Sequence, residues 1–175
     1  MTDVLSTLNT VINDVAIRAE SYGLSDGEAF FDEMNIALTD NGDVRQLDFV
    51  EYTGSDDSKK SMRVDGYCFE SDDGPDASDL LEMTLVVADY NYGDSSGQAN
   101  ELLTINTADL EKKFLEMKRF ISACSSRNLL DGIEGSAPFA GLVGSLTNNF
   151  SKLQKITLLY VTTARFTGRI KEFVS

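Results

Sequence analysis

Two apolar, strand-like runs close together in the chain each carry an aspartate, and this pairing constrains the fold more than any other feature. The first run is Met62-Arg63-Val64-Asp65-Gly66-Tyr67-Cys68-Phe69. The second is Leu81-Glu82-Met83-Thr84-Leu85-Val86-Val87-Ala88-Asp89-Tyr90-Asn91-Tyr92. Short runs rich in valine, leucine and aromatics fit a pleated, half-buried surface. The connection Ser71-Asp72-Asp73-Gly74-Pro75-Asp76 reads as an exposed turn. The pattern predicts a hairpin with strands near 62–69 and 82–92. An ionised carboxylate within such a run is costly unless something pairs with it, so the fold must bring Asp65 and Asp89 a partner. A metal ion is one candidate.

Helices are expected on both sides of the hairpin. Val4, Leu5, Leu8, Val11, Ile12 and Val15 recur at helical spacing, predicting a helix over 3–22 that ends near Gly23. Ser25-Asp26-Gly27-Glu28 has the serine and glutamate of a capping box, opening a second helix over 26–39 with Phe30, Met34 and Leu38 on one face. Phe49–Tyr52 reads as a short strand and 54–60 as a polar loop. Beyond the hairpin, 93–100 is a Gly/Ser loop, and Thr107 is placed to cap a helix to about Arg127 whose stripe is Leu110, Phe114, Met117 and Ile121. A break at Glu134–Pro138, a helix over 139–153, a buried strand around Ile156–Val161 and a final helix over 166–173 complete the reading. The strand after two helices would be reached by a crossover and lie parallel to a neighbour. The class is α/β, a mixed sheet flanked by helices. Residues 1–175 read as a single domain, and the lack of a strand after the last helix fits a part of a longer protein.

Composition narrows the chemistry. The chain has no histidine, which removes Ser-His and Cys-His nucleophilic catalysis and any His-ligated zinc. Cys68 and Cys124 have no framework spacing and read as buried, reduced thiols of a cytoplasmic protein. No apolar run approaches the ~18 residues of a membrane span, so no membrane partner is expected. The net charge of −14 repels nucleic acid unless the cations cluster. They are uneven. Residues 64–111 hold twelve acids and no lysine or arginine, whereas the tail from Lys152 has five cations against Glu172 alone.

Two carboxylates on adjoining strands make physical sense as a Mg²⁺ site for phosphodiester hydrolysis. With a backbone carbonyl they hold the ion, which polarises the phosphate and activates a water. In metal-dependent nucleases of this layout a lysine follows two residues after the second acid, on the same strand face. Here Asp89 and Asn91 keep the spacing, but Asn91 carries no charge. Asp65 and Asp89 are the candidate metal ligands, and Asp32 or Glu33 could add a helix-borne carboxylate. The plainer readings are that Asp65-Gly66 marks a bulge and that Asp89 is solvated at a strand end. Gly141-Leu142-Val143-Gly144 lacks the context of a dinucleotide loop. Tyr67, Tyr90 and Tyr92 could stack bases but fit a core better.

Several runs resemble the N-terminal domain of the AIPR, or abortive infection phage resistance, family. They are Gly27-Glu28-Ala29-Phe30-Phe31-Asp32-Glu33, Arg63-Val64-Asp65-Gly66-Tyr67, Leu85-Val86-Val87-Ala88-Asp89-Tyr90, Leu103-Thr104, Glu134-Gly135-Ser136-Ala137-Pro138 and Ile156–Val161. The similarity spans about residues 25 to 170. It implies a restriction-endonuclease-like fold in the N-terminal part of a longer, bacterial, cytoplasmic defence protein. It also implies a site of Asp32, Asp65 and Asp89, with Asn91 where nucleases of this fold have lysine. Two functions follow: a Mg²⁺-dependent nuclease, degenerate through Asn91, or a non-catalytic dimerisation or sensing module. Charge alone adds a third, an acidic mimic of nucleic acid.

Overall fold

The computed structural model describes residues 3–71, 81–91, 99, 101–126, 128–135 and 137–169. Helix α1, Val4–Tyr22, ends at Gly23, whose left-handed φ of 68° suits a residue without Cβ. Helix α2, Asp26–Asp40, opens with the expected reciprocal bonds between Ser25 and Glu28. Strands β1 (Asp48–Ser55), β2 (Ser61–Ser71) and β3 (Leu81–Asp89) form an antiparallel meander. A short strand β4 (Thr104–Ile105) precedes α3 (Thr107–Ser125), then come α4 (Asn128–Asp131) and α5 (Ala140–Asn149). A 3₁₀ turn, Phe150–Lys152, leads into β5 (Leu153–Thr162), and β6 (Arg165–Phe166) follows.

The main sheet has the order β1-β2-β3-β5, with β5 parallel to β3. Its mixed character is the one expected from the crossover through α3–α5. One face carries the larger core: Met117, Phe120 and Cys124 of α3 and Leu142, Val143 and Leu146 of α5 pack on Val64, Met83, Leu85 and Val87. The other face takes α2, whose Phe31 and Met34 pack on Cys68 and Val86. α1 packs in turn on α2 through Val15, Ala29 and Phe30. The central strand β3 is thus buried on both faces, which is why its sequence is a continuous apolar run rather than an alternation.

Several expectations need correction. Residues 166–169 do not begin a helix: Phe166 ends β6, and Arg165 and Thr167 donate backbone bonds to Leu103 and Ile105. The remainder of that proposed helix, like the connection at 72–76, lies outside the described residues. The cap of α3 is Asn106, not Thr107; its side chain accepts from Ala108 and Asp109. Asparagine competes better for free helix N–H groups. The most deeply buried residues of α3 are Glu116, Met117, Phe120 and Cys124; of the predicted stripe, Met117 is among them and Phe114 and Ile121 pack, partly buried, against the same core. β1 continues through Gly54 and Ser55 into the stretch predicted as loop.

Candidate functional site

Asp65 lies at an irregularity in the sheet. The β2–β3 ladder ends at Gly66 paired with Val86. Opposite Asp65 the β1 register slips between Phe49 and Tyr52, so two residues of β1 face one of β2. Side-chain alternation along β2 also breaks here. Tyr67 and Phe69 face the α3 layer and Cys68 the α2 layer, but Val64 and Met62 again face α3. At this bulge the Asp65 side chain reaches across to β3. Its Oδ2 accepts from the backbone N–H of Ala88 at 2.8 Å, replacing the ladder partner that β2 no longer supplies.

Arg63 closes the arrangement. Its Nε and Nη2 donate to Oδ1 and Oδ2 of Asp65 at 2.9 and 2.7 Å, a bidentate pair. Its Nη1 donates to Asp89 Oδ1 at 2.5 Å, and Nη2 also reaches the Ala88 carbonyl at 3.1 Å. The other oxygen of Asp89 meets Lys113 Nζ from α3 at 2.8 Å and the Tyr160 hydroxyl from β5 at 2.9 Å. Every carboxylate oxygen of the pair therefore has a donor, and two cations balance two anions. Asp65 and Asp89 are 5% and 8% exposed, and burial of this depth is tolerable only with such pairing. The cluster ties β2, β3, α3 and β5 together at one end of the sheet.

The titration properties follow from this cage. Burial is the largest influence on Asp65 and pushes its carboxyl up, against the opposing pull of Arg63 and the Ala88 N–H. Burial also acts upward on Asp89, but the Lys113 hydrogen bond, the Arg63 charge and the Tyr160 hydroxyl outweigh it and hold Asp89 below the usual range. Burial, reinforced by Asp89, pushes the Tyr160 phenol up to about 12. A depressed carboxyl contributes stability above its unfolded value, lost as pH falls through its folded value. Asp65, raised, acts in the opposite sense: its contribution is present in acid and lost as pH rises. Tyr160→Phe removes one donor to Asp89 and is expected to raise the Asp89 titration midpoint, followed by carboxyl NMR. Hydrogen bonds to charged groups are worth about 1.5–3 kcal/mol. A deficit at or below that range should appear at neutral pH and shrink as pH falls through Asp89's folded value.

The predicted residues are not all brought together. Asp65 and Asp89 meet, through Arg63. Asp32 is half exposed on α2 and faces Arg18 of α1 at 3.9 Å, while Glu33 takes the same arginine at 2.5 Å. Asn91 is exposed beyond the end of β3, its backbone N–H donating to Thr163 Oγ1 at 2.9 Å. Tyr90 stacks on Phe30 with ring centroids 5.1 Å apart, and Tyr92 lies outside the described residues. As arranged, the pair does not fit a divalent ion, because Arg63 and Lys113 hold the oxygens that would ligate it. Among the described residues no group of three or more Asp, Glu or Cys is placed to hold a metal. Sequence reading missed Arg63, Lys113 and Tyr160. Arg63 had a signal, standing two residues before Asp65. Lys113 had a weaker one, four residues before Met117 and so on the buried side of α3.

Fold and cluster define an α/β domain whose central strands carry an internally neutralised carboxylate pair. A family model, the abortive infection phage resistance protein N-terminal domain, matches residues 30–174. The chain belongs to that family, and so to the phage-resistance class of protein modules. No curated protein and no solved structure matches it. No helix among the described residues is long and apolar enough to cross a membrane.

Proposed function

We propose that this chain is a non-catalytic recognition or assembly module at the N-terminal end of a longer, cytoplasmic phage-defence protein, built on a restriction-endonuclease-like framework without the nuclease's working site. The observation that carries this reading is Arg63, whose guanidinium spans both carboxylates that a nuclease would give to Mg²⁺. Support for the nuclease-like framework comes from the mixed sheet between helix layers, with aspartates on adjacent central strands. Support for the loss of chemistry comes from β3 itself. Aligned with its acid at 89, the acid-x-lysine pattern reads Asp89-Tyr90-Asn91; aligned with its cation at 89, it reads Val87-Ala88-Asp89. Neither offers an acid and a lysine together, and Lys113, which does reach the cluster, is spent on Asp89. A chain of net charge −14 is also poorly suited to a nucleic-acid backbone.

The test is direct. The 175-residue chain, incubated with Mg²⁺ or Mn²⁺ and with duplex DNA, single-stranded DNA or RNA, is expected to leave all three intact and to give no metal-binding heat in calorimetry. Cleavage that disappears in Asp65→Ala or Asp89→Ala would overturn the reading. Light scattering on the same sample tests assembly, with a homodimer the expected form.

A further inference from the structure

Arg63 holds an unusual set of acceptors. Its guanidinium contacts both oxygens of Asp65, one oxygen of Asp89 and the carbonyl oxygen of Ala88. Two carboxylates and a backbone carbonyl are the hard oxygen donors that Mg²⁺ and Mn²⁺ select. The carboxylates are also held in place by groups other than Arg63. The Ala88 N–H fixes Asp65, and Lys113 and Tyr160 fix the far oxygen of Asp89. Withdrawing the guanidinium therefore leaves these four oxygens facing the space it vacates. A cleft of about 450 Å³, bordered by Asp26, Gly27, Arg63, Asp89 and Asn91, opens over the cluster. Arg63 itself is 30% exposed, so solvent reaches this place.

We propose that Arg63 acts as a built-in substitute for a divalent cation, and that Asp65, Asp89 and the Ala88 carbonyl form a latent Mg²⁺/Mn²⁺ site that a single substitution at Arg63 uncovers. This rests on the non-catalytic reading above, since it takes the wild-type site to be closed. The charge argument favours it. With Arg63 in place the cluster is neutral and an added dication finds no free acceptor. Without it, two carboxylates face Lys113 alone, leaving one net negative charge on side chains set into the sheet, where electrostatic attraction is stronger than in bulk water.

The experiment is Mn²⁺ titration of the full chain, by calorimetry and by electron paramagnetic resonance of the free ion. Wild type and Arg63→Lys are expected to bind no Mn²⁺. Arg63→Ala and Arg63→Gln are expected to bind one equivalent with a Kd of ~0.1–1 mM, the range of weak oxygen-ligand sites. Adding Asp65→Asn to Arg63→Ala should abolish it. If Arg63→Ala does not fold in the absence of metal, Mn²⁺ titrated into the unfolded sample should restore its circular dichroism; failure to restore it overturns the proposal. So does a folded Arg63→Ala or Arg63→Gln that ignores Mn²⁺, which would leave the non-catalytic reading intact. Binding by wild type at the same affinity would instead defeat both.

Discussion

Replacing Arg63 with alanine is expected to cost about 3–5 kcal/mol of folding stability, the usual penalty for removing one partner of a buried ion pair. For a chain of this length, that corresponds to melting about 6–20 °C lower. The cause is not the lost attraction alone. Asp65 and Asp89, 5% and 8% exposed with Arg63 in place, would lose that partner, leaving Asp65 the Ala88 N–H. Two controls separate this from a packing effect. Arg63→Lys keeps the charge but not the planar fork that reaches both aspartates, so its loss should be intermediate. The triple variant Arg63→Ala/Asp65→Asn/Asp89→Asn removes the orphaned charges and should be more stable than Arg63→Ala alone. The pH dependence has a definite sign. Burial already pushes the Asp65 carboxyl up, and Arg63 opposes that push. Without Arg63 the carboxyl takes up a proton at higher pH, so the deficit should narrow as pH falls. Urea unfolding at several pH values measures all of this. A loss within about 1 kcal/mol of wild type would place the cluster among ordinary surface pairs and remove its structural role.

Local signals were legible in the sequence and long-range ones were not. Ser25 and Glu28 name their own capping box, and Gly23 its own helix end, because the interacting groups are a few residues apart. Asp65 and Asp89 were identifiable as sites of trouble because an acid in an apolar strand always needs a partner. The identity of that partner was harder. Arg63 was visible two positions away, but period-two alternation assigns it no special reach. The break in alternation at Asp65, which turns Val64 toward α3, depends on how β1 and β3 pair on either side. Lys113 and Tyr160 reach Asp89 from 24 and 71 residues away in the chain, and no spacing rule connects them. The β4–β6 pair is two residues on each side, too short for any periodicity to register. This is why 166–169 resembled the start of a helix. The family resemblance carried more than the individual motifs, because it integrates order and spacing over about residues 25 to 170, and the family model matches 30–174.

A second large effect is expected at the contact that seats α2 on the sheet beside this cluster. Phe31 is 1% exposed and packs edge-on against Phe49 with ring centroids 5.1 Å apart. Phe31→Ala should cost about 3–5 kcal/mol, the range for an aromatic deleted from a core. The ring lies directly over Gly66, the residue after Asp65. A Cβ built on Gly66 would intrude on the Cζ and Cε2 atoms of Phe31 and come within 3.1 Å of the Asp48 carbonyl oxygen. Gly66 is not among the glycines with positive φ, so backbone freedom is not what the position requires. What it requires is room. Gly66→Ala should therefore cost about 1–3 kcal/mol by overpacking. In the Phe31→Ala background the same methyl enters the space the ring has left, and its cost should fall close to zero. The two changes would then be coupled by about 1–3 kcal/mol, as expected for residues in contact. A double-mutant cycle in urea measures this coupling. Equal cost for Gly66→Ala in both backgrounds would shift the constraint from Phe31 to the Asp48 carbonyl, making β1 rather than α2 the element that holds position 66 to glycine.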